Sequence, residues 1–123
     1  MTLWNSQRGA AAVEFALVLP VLLLILLGII ECGRAYNVQI SLTHAARETA
    51  RYMAIHNDWG GAVDSGVAAA PSVDLGATAF QANPVSCAAD ADIKVTVTYE
   101  LETVTGVAEG MKLTGKAAMR CGG

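Results

Sequence analysis

Residues 9–54 read GAAAVEFALVLPVLLLILLGIIECGRAYNVQISLTHAARETARYMA, and the acid at Glu14 decides how the rest is understood. Between Arg8 and Glu31 it is the sole charged side chain, and Ala10 to Ile30 is otherwise apolar. At a helical rise of 1.5 Å per residue such a run reaches roughly 31 Å, the thickness of a bilayer core. A carboxylate inside hydrocarbon costs about 2.5 kcal/mol or more, so Glu14 marks a site. Arg8 precedes the run and no acid lies before it, so the positive-inside rule sets the N-terminus in the cytoplasm and the residues after Glu31 on the far side. Pro20 lacks an N–H and crowds the Ala16 carbonyl, which predicts a kink or local melting there, while Gly28 leaves room for a second helix.

Beyond the apolar run, Ala35, Val38, Leu42, Ala45, Thr49 and Tyr52 recur at steps of three and four, one stripe of a helix. Arg34, Arg47, Glu48 and Arg51 fall among polar neighbours, with Glu31–Arg34 and Glu48–Arg51 as i,i+3 pairs. The pattern predicts one helix from about Gln7 to Ile55, ending before Asn57-Asp58 and the Gly60-Gly61 pair. A membrane helix and a separate amphipathic helix, broken at Gly33, is the alternative.

The remainder is a small head. Residues 57–84 are rich in Gly, Ala, Ser and Asp and suit one short helix near Ala62–Ala70 and another near Ser72–Gln81. Ile93, Val95, Val97, Tyr99 and Leu101 then alternate with Lys94, Thr96, Thr98, Glu100 and Glu102, the period of a half-buried strand. Met111, Leu113, Ala117, Met119 and Cys121 alternate likewise, and two glycines within 103–110 supply a turn. The pair predicts an antiparallel β-hairpin, with Glu100 and Glu102 brought toward Lys112 or Lys116. A hairpin alone is marginal in water and must bury its apolar face against the outer half of the long helix, with Tyr36, Val38, Leu42 and Tyr52 as candidates. The fold class is therefore α+β: a transmembrane helix that extends outward and is packed by a head of short helices and a hairpin. The domain boundaries fall at 1–9, 10–55 and 56–123.

A hydrophobic fraction of 54% with only 15% charged residues is too apolar for a disordered tail and suits a membrane-tethered chain. The net charge of −3, with no basic stripe, argues against nucleic acid as a partner. Cys32, Cys87 and Cys121 and the two histidines, His44 and His56, have no metal-ligand spacing, and no cofactor motif is present. In an exported head Cys87 and Cys121 can form a disulfide, with Cys32 as the odd thiol; three free cysteines packed as small hydrophobes is the other reading. Ser41 with His44, and His56 with Asp58, lack any nucleophile or oxyanion motif, so the chain is not read as an enzyme.

The stretch from Gly9 through four residues, Ala10-Ala11-Ala12-Val13, to Glu14-Phe15 and a long apolar helix resembles the Flp-type form of the type IV prepilin cleavage motif. The wider segment, residues 7–54, looks like the TadE-like family of pseudopilins of tight-adherence pilus systems. That resemblance implies a pilin-like fold and cleavage between Gly9 and Ala10 by a membrane-embedded prepilin peptidase, which supplies the chemistry. It implies that Glu14 pairs with the new α-ammonium of Ala10 on a neighbouring subunit, with Phe15 as part of the motif. It also implies as partners other pilins and pseudopilins, the inner-membrane pilus assembly platform and the lipid bilayer. Because the chain carries a further stretch of about seventy residues beyond the helix, the resemblance points to a minor subunit rather than the bulk fibre pilin. Two rivals stand beside it. One is a secreted binding protein released by signal peptidase after Gly33-Arg34-Ala35, to begin at Tyr36. The other is a small membrane-anchored enzyme or sensor, whose head has few aromatics to line a pocket.

Overall fold

A computed structural model describes residues 2–103, 106 and 110–122, with side chains from residue 7 onward. Helix α1 spans Thr2–His56, α2 spans Trp59–Ala69, and strands β1 (Phe80–Asn83), β2 (Asp92–Glu100) and β3 (Lys112–Arg120) follow, with a 3₁₀ turn at Ala77–Ala79 before β1. The chain divides into two compact units, one ending at Gly33 and one beginning at Arg34.

In the first unit α1 runs unbroken through Pro20, so the expected local melting does not occur. Its helical assignment also continues through Gly33, where a break was the alternative. Side chains on every side of it are exposed, among them Leu17, Leu24 and Ile29, each more than 60% accessible. A helix that is apolar and exposed all round has the surface of one that is covered by lipid or by other helices. It is long and apolar enough to cross a membrane.

The second unit packs the outer part of α1 against α2 and a three-stranded antiparallel sheet of order β1-β2-β3. The buried stripe of α1 is Leu42, Ala45, Ala46, Thr49, Ala50 and Met53, close to the predicted spacing and mostly small. Small residues bring backbones together. At Gly115 an added Cβ would overlap the backbone of Leu42 and Thr43, so β3 crosses α1 with no side chain between them. At Gly66 it would overlap the Thr49 hydroxyl and the Phe80 ring, which fixes how closely α2 lies on α1. Thr49 is fully buried, and its hydroxyl donates to the Ala45 carbonyl at 2.8 Å, which removes the cost of an orphan polar group. Ile93, Val95 and Val97 of β2 are completely buried, each contributing about 1.5–3 kcal/mol by leaving water.

Several expectations need correction. The predicted helix over 72–81 is instead a turn, the 3₁₀ segment and strand β1. Four residues are too few to show a period, and the extended state of Phe80–Asn83 comes from pairing with β2, Phe80 opposite Val97 and Ala82 opposite Val95. The hairpin is thereby a three-stranded sheet with β2 at its centre. In the β2–β3 register Glu100 faces Lys112, but Lys116 faces Thr96, and Glu102 lies beyond the strand. Tyr36 is 71% exposed and takes no part in the core. At about 100° per residue it points some 200° away from Val38, which does pack there. Met119 stands opposite Ile93 yet is part-exposed, because β3 is an edge strand, and Met111 precedes it. Most of the turn expected in 103–110 lies outside the described residues; Gly106 and Gly110 have φ of 76° and 84°.

The end of α1 is closed by long-range partners. Asn57 takes a left-handed conformation, φ 49°, and its N–H returns to the Met53 carbonyl at 2.9 Å, a C-terminal cap that asparagine tolerates. Its side-chain oxygen accepts the Cys87 N–H at 2.7 Å, and the Gly122 N–H reaches the Ala54 carbonyl at 3.0 Å. These two loops carry the disulfide between Cys87 and Cys121, whose Cα atoms are 5.7 Å apart. Met53, Ala62 and Ile93 pack beside Cys121 as a second small core.

Candidate processing and assembly segment

The residues singled out for processing and assembly, Gly9, Ala10, Glu14 and Phe15, all lie on the first unit of α1. Gly9, Ala10, Glu14 and Phe15 are helical and exposed, Phe15 to 66%. Nothing lies within 4 Å of the position a Cβ would take at Gly9, so the backbone there is open on its side-chain face. Ala10 and Glu14 are four residues apart and share one face of the helix. Phe15 turns about 100° from Glu14 and joins the apolar surface that continues through Leu17, Val18 and Leu22. Arg8 lies just ahead, also exposed. The segment thus presents an accessible small residue, one carboxylate, and then apolar surface alone as far as Ile30.

Among the described residues no cluster of histidine, cysteine and acidic side chains could hold a metal ion. Ser41 does not meet His44: its hydroxyl lies 3.2 Å from that of Ser72, and His44 is exposed. His56 stacks on Tyr52, with ring centroids 4.2 Å apart. Cys32 is a free, exposed thiol.

As the alternation predicts, Lys94, Lys112, Lys116 and Arg120 occupy even positions of β2 and β3, on the sheet face turned away from α1, together with Asp92 and Glu100. The signal was present in the same period-two alternation that located the strands, once both strands are placed in one sheet.

Residues 9–51 match the family model described as TadE-like protein. No curated protein and no solved structure matches the chain. TadE-like proteins are components of tight-adherence pilus systems and are not known as enzymes. The matched stretch contains Gly9, Ala10, Glu14 and Phe15, the whole apolar run, and the buried stripe of α1 as far as Ala50. Over this segment, though not over the rest of the chain, the sequence is similar to TadE-like proteins.

Proposed function

We propose that the chain is a minor pilin, or pseudopilin, of a tight-adherence pilus of the Flp type. A prepilin peptidase removes residues 1–9. The mature subunit then waits in the inner membrane as a single-pass protein, N-terminus toward the cytoplasm and residues 56–123 outside it. It is drawn by the assembly platform into contact with other pilins. The observation that carries this reading is the pairing of an open Gly9 with an exposed Glu14 at the start of an apolar helix whose side chains are exposed.

Cleavage between Gly9 and Ala10 creates an α-ammonium four residues before Glu14. Both charges are costly near hydrocarbon, and each lessens the other's desolvation when they pair. In the free subunit the two lie one turn apart on one helix face and partly neutralise each other. In the assembly Glu14 takes the ammonium of a neighbouring subunit, which fixes the axial register of the docked helix. The surrounding leucine, valine and isoleucine side chains then exchange lipid for helix contacts at small net cost, so the charge pair supplies the selectivity.

The test is the N-terminal residue and intact mass of the membrane-extracted protein, expressed with and without a prepilin peptidase of such a system. A start at Ala10 only when the peptidase is present is the expected result. A start near Tyr36, or an uncut chain in both preparations, overturns the reading. The continuity of α1 through Gly33 and Ala35 counts against the signal-peptidase cut, since no extended segment is offered there.

A further inference from the structure

The charges of the second unit are unevenly placed: the outer sheet face carries Lys94, Lys112, Lys116 and Arg120 against Asp92 and Glu100, which stand opposite Arg120 and Lys112. Between Arg51 and Lys94 there is no lysine or arginine, while Asp58, Asp64, Asp74, Asp90 and Asp92 fall in that interval. After it, every lysine and arginine of the chain lies in β2 or β3, on the outer face of the sheet. That face is uncovered by the chain's own helices. Across its middle lies a shallow concavity of about 420 Å³, edged by Lys94 and Lys116 with Gln81, Asn83, Thr96 and Ala118. Both lysines are exposed. The floor between them is short-chained, so a protein surface can approach the sheet closely while the two ammonium groups reach its flanks.

The same chain carries a surface that fits. Helix α2 buries Ala62, Val63 and Gly66, which leaves Gly60, Asp64, Val67 and Ala68 on its solvent side. That side is smooth, with one carboxylate at its centre, and exposed Asp58 and Asp74 flank the helix at either end. We infer that the outer sheet face of one copy docks on the α2 face of a second copy, with Lys94 and Lys116 of the first set against Asp58, Asp64 and Asp74 of the second. The two faces are different, so the contact is heterologous, with the sheet of one copy on the helix of the other. The inference goes beyond the processing reading, because the contact lies wholly within residues 58–118 and is tested without regard to cleavage at Gly9.

The experiment uses full-length chain in detergent micelles, as an equal mixture of ¹⁴N and ¹⁵N protein treated with a zero-length carbodiimide that joins an amine to a carboxylate already in contact. Mixed-isotope peptide pairs linking Lys94 or Lys116 to Asp58, Asp64 or Asp74 are expected. Their yield should fall several-fold at high salt, where exposed pairs are screened. The Lys94→Glu/Lys116→Glu chain should lose these pairs. Mixed with an Asp64→Lys/Asp74→Lys chain, it should recover links between copies, now joining the new lysines to the new glutamates. Absence of mixed pairs in the unmutated protein overturns the inference, as does their confinement to Lys112. Sheet lysines that link only to another pilus protein when the two are purified together overturn the second copy as occupant. Since the first arm uses unmutated protein, misfolding of a variant does not rescue the idea.

Discussion

Glu14 and Gly115 show how much a single position carries in each unit. Glu14→Ala removes the one carboxylate of the apolar segment and leaves Gly9 and Ala10 as they are. The variant is expected to insert and to be cut at a normal rate, yet to be missing from sheared pilus fractions; incorporation equal to the unmutated protein would remove Glu14 from the docking step. Gly115 has a purely steric role. Its missing Cβ is what lets β3 meet the α1 backbone at Leu42 and Thr43, and a backbone obstacle does not swing aside as a flexible side chain would. Gly115→Ala should therefore destabilise the folded head by about 1–3 kcal/mol, the usual cost of overpacking. Gly76→Ala is the matched control: its φ is −86° and an added Cβ there meets only Thr78 at an ordinary 3.8 Å, so a change within about 0.5 kcal/mol is expected. Denaturant titration followed by the fluorescence of Trp59, which packs on both cores, reads both.

At the scale of elements, the end of α1 is an argument about capping that separates two contributions. Asn57→Gly keeps the left-handed backbone easily reached and loses only the hydrogen bond from the Cys87 N–H, worth about 1 kcal/mol. Asn57→Ala loses that bond and adds the strain of a Cβ in the left-handed region, about 1 kcal/mol more. The expected order of stability is asparagine, then glycine, then alanine, and equal losses would show the backbone term to be negligible. The same comparison of local and distant causes explains what was legible beforehand. Helix α1 and strands β2 and β3 declare themselves because their periods persist over many residues, and the stripe through Leu42, Ala45 and Thr49 is a direct consequence of one buried helix face. Strand β1 does not, because four residues carry no resolvable period and its conformation is dictated by the free edge of β2. Tyr36 was misjudged from its apolar character, although its angular position already set it opposite Val38. Glu14 stands out in the sequence because an acid in an apolar run is costly, and its proposed role with Gly9 is for the peptidase and pilus experiments to decide. The polar sheet face was legible as alternation on two paired strands, while the pairs across it, Glu100 with Lys112 but Lys116 with Thr96, are a matter of register and not of local pattern.

At the scale of the whole molecule, anchoring and folding are assigned to different parts of one chain. The segment up to Gly33 is helical, and its apolar side chains from Val13 to Ile30 are largely exposed, so its retention in a bilayer is expected without the head. The head, by contrast, is small, with two modest cores, and a domain of that size gains much from a covalent link. The disulfide closes a loop of sequence separation 34 and ties the turn just after β3 to the loop held by Asn57. In the chain-entropy model a loop of that length contributes about 3–4 kcal/mol, a large share of what a small head can muster. Cys87→Ser/Cys121→Ser should therefore leave the protein in the membrane fraction with an intact α1 while its head becomes sensitive to low concentrations of protease. Reduction of the unmutated protein should do the same, whereas Cys32→Ser should change neither property, since Cys32 is free and exposed. Loss of the double variant from the membrane fraction would show that the apolar helix depends on the head after all, and would tie insertion to folding in a way that the exposed surface of α1 does not suggest.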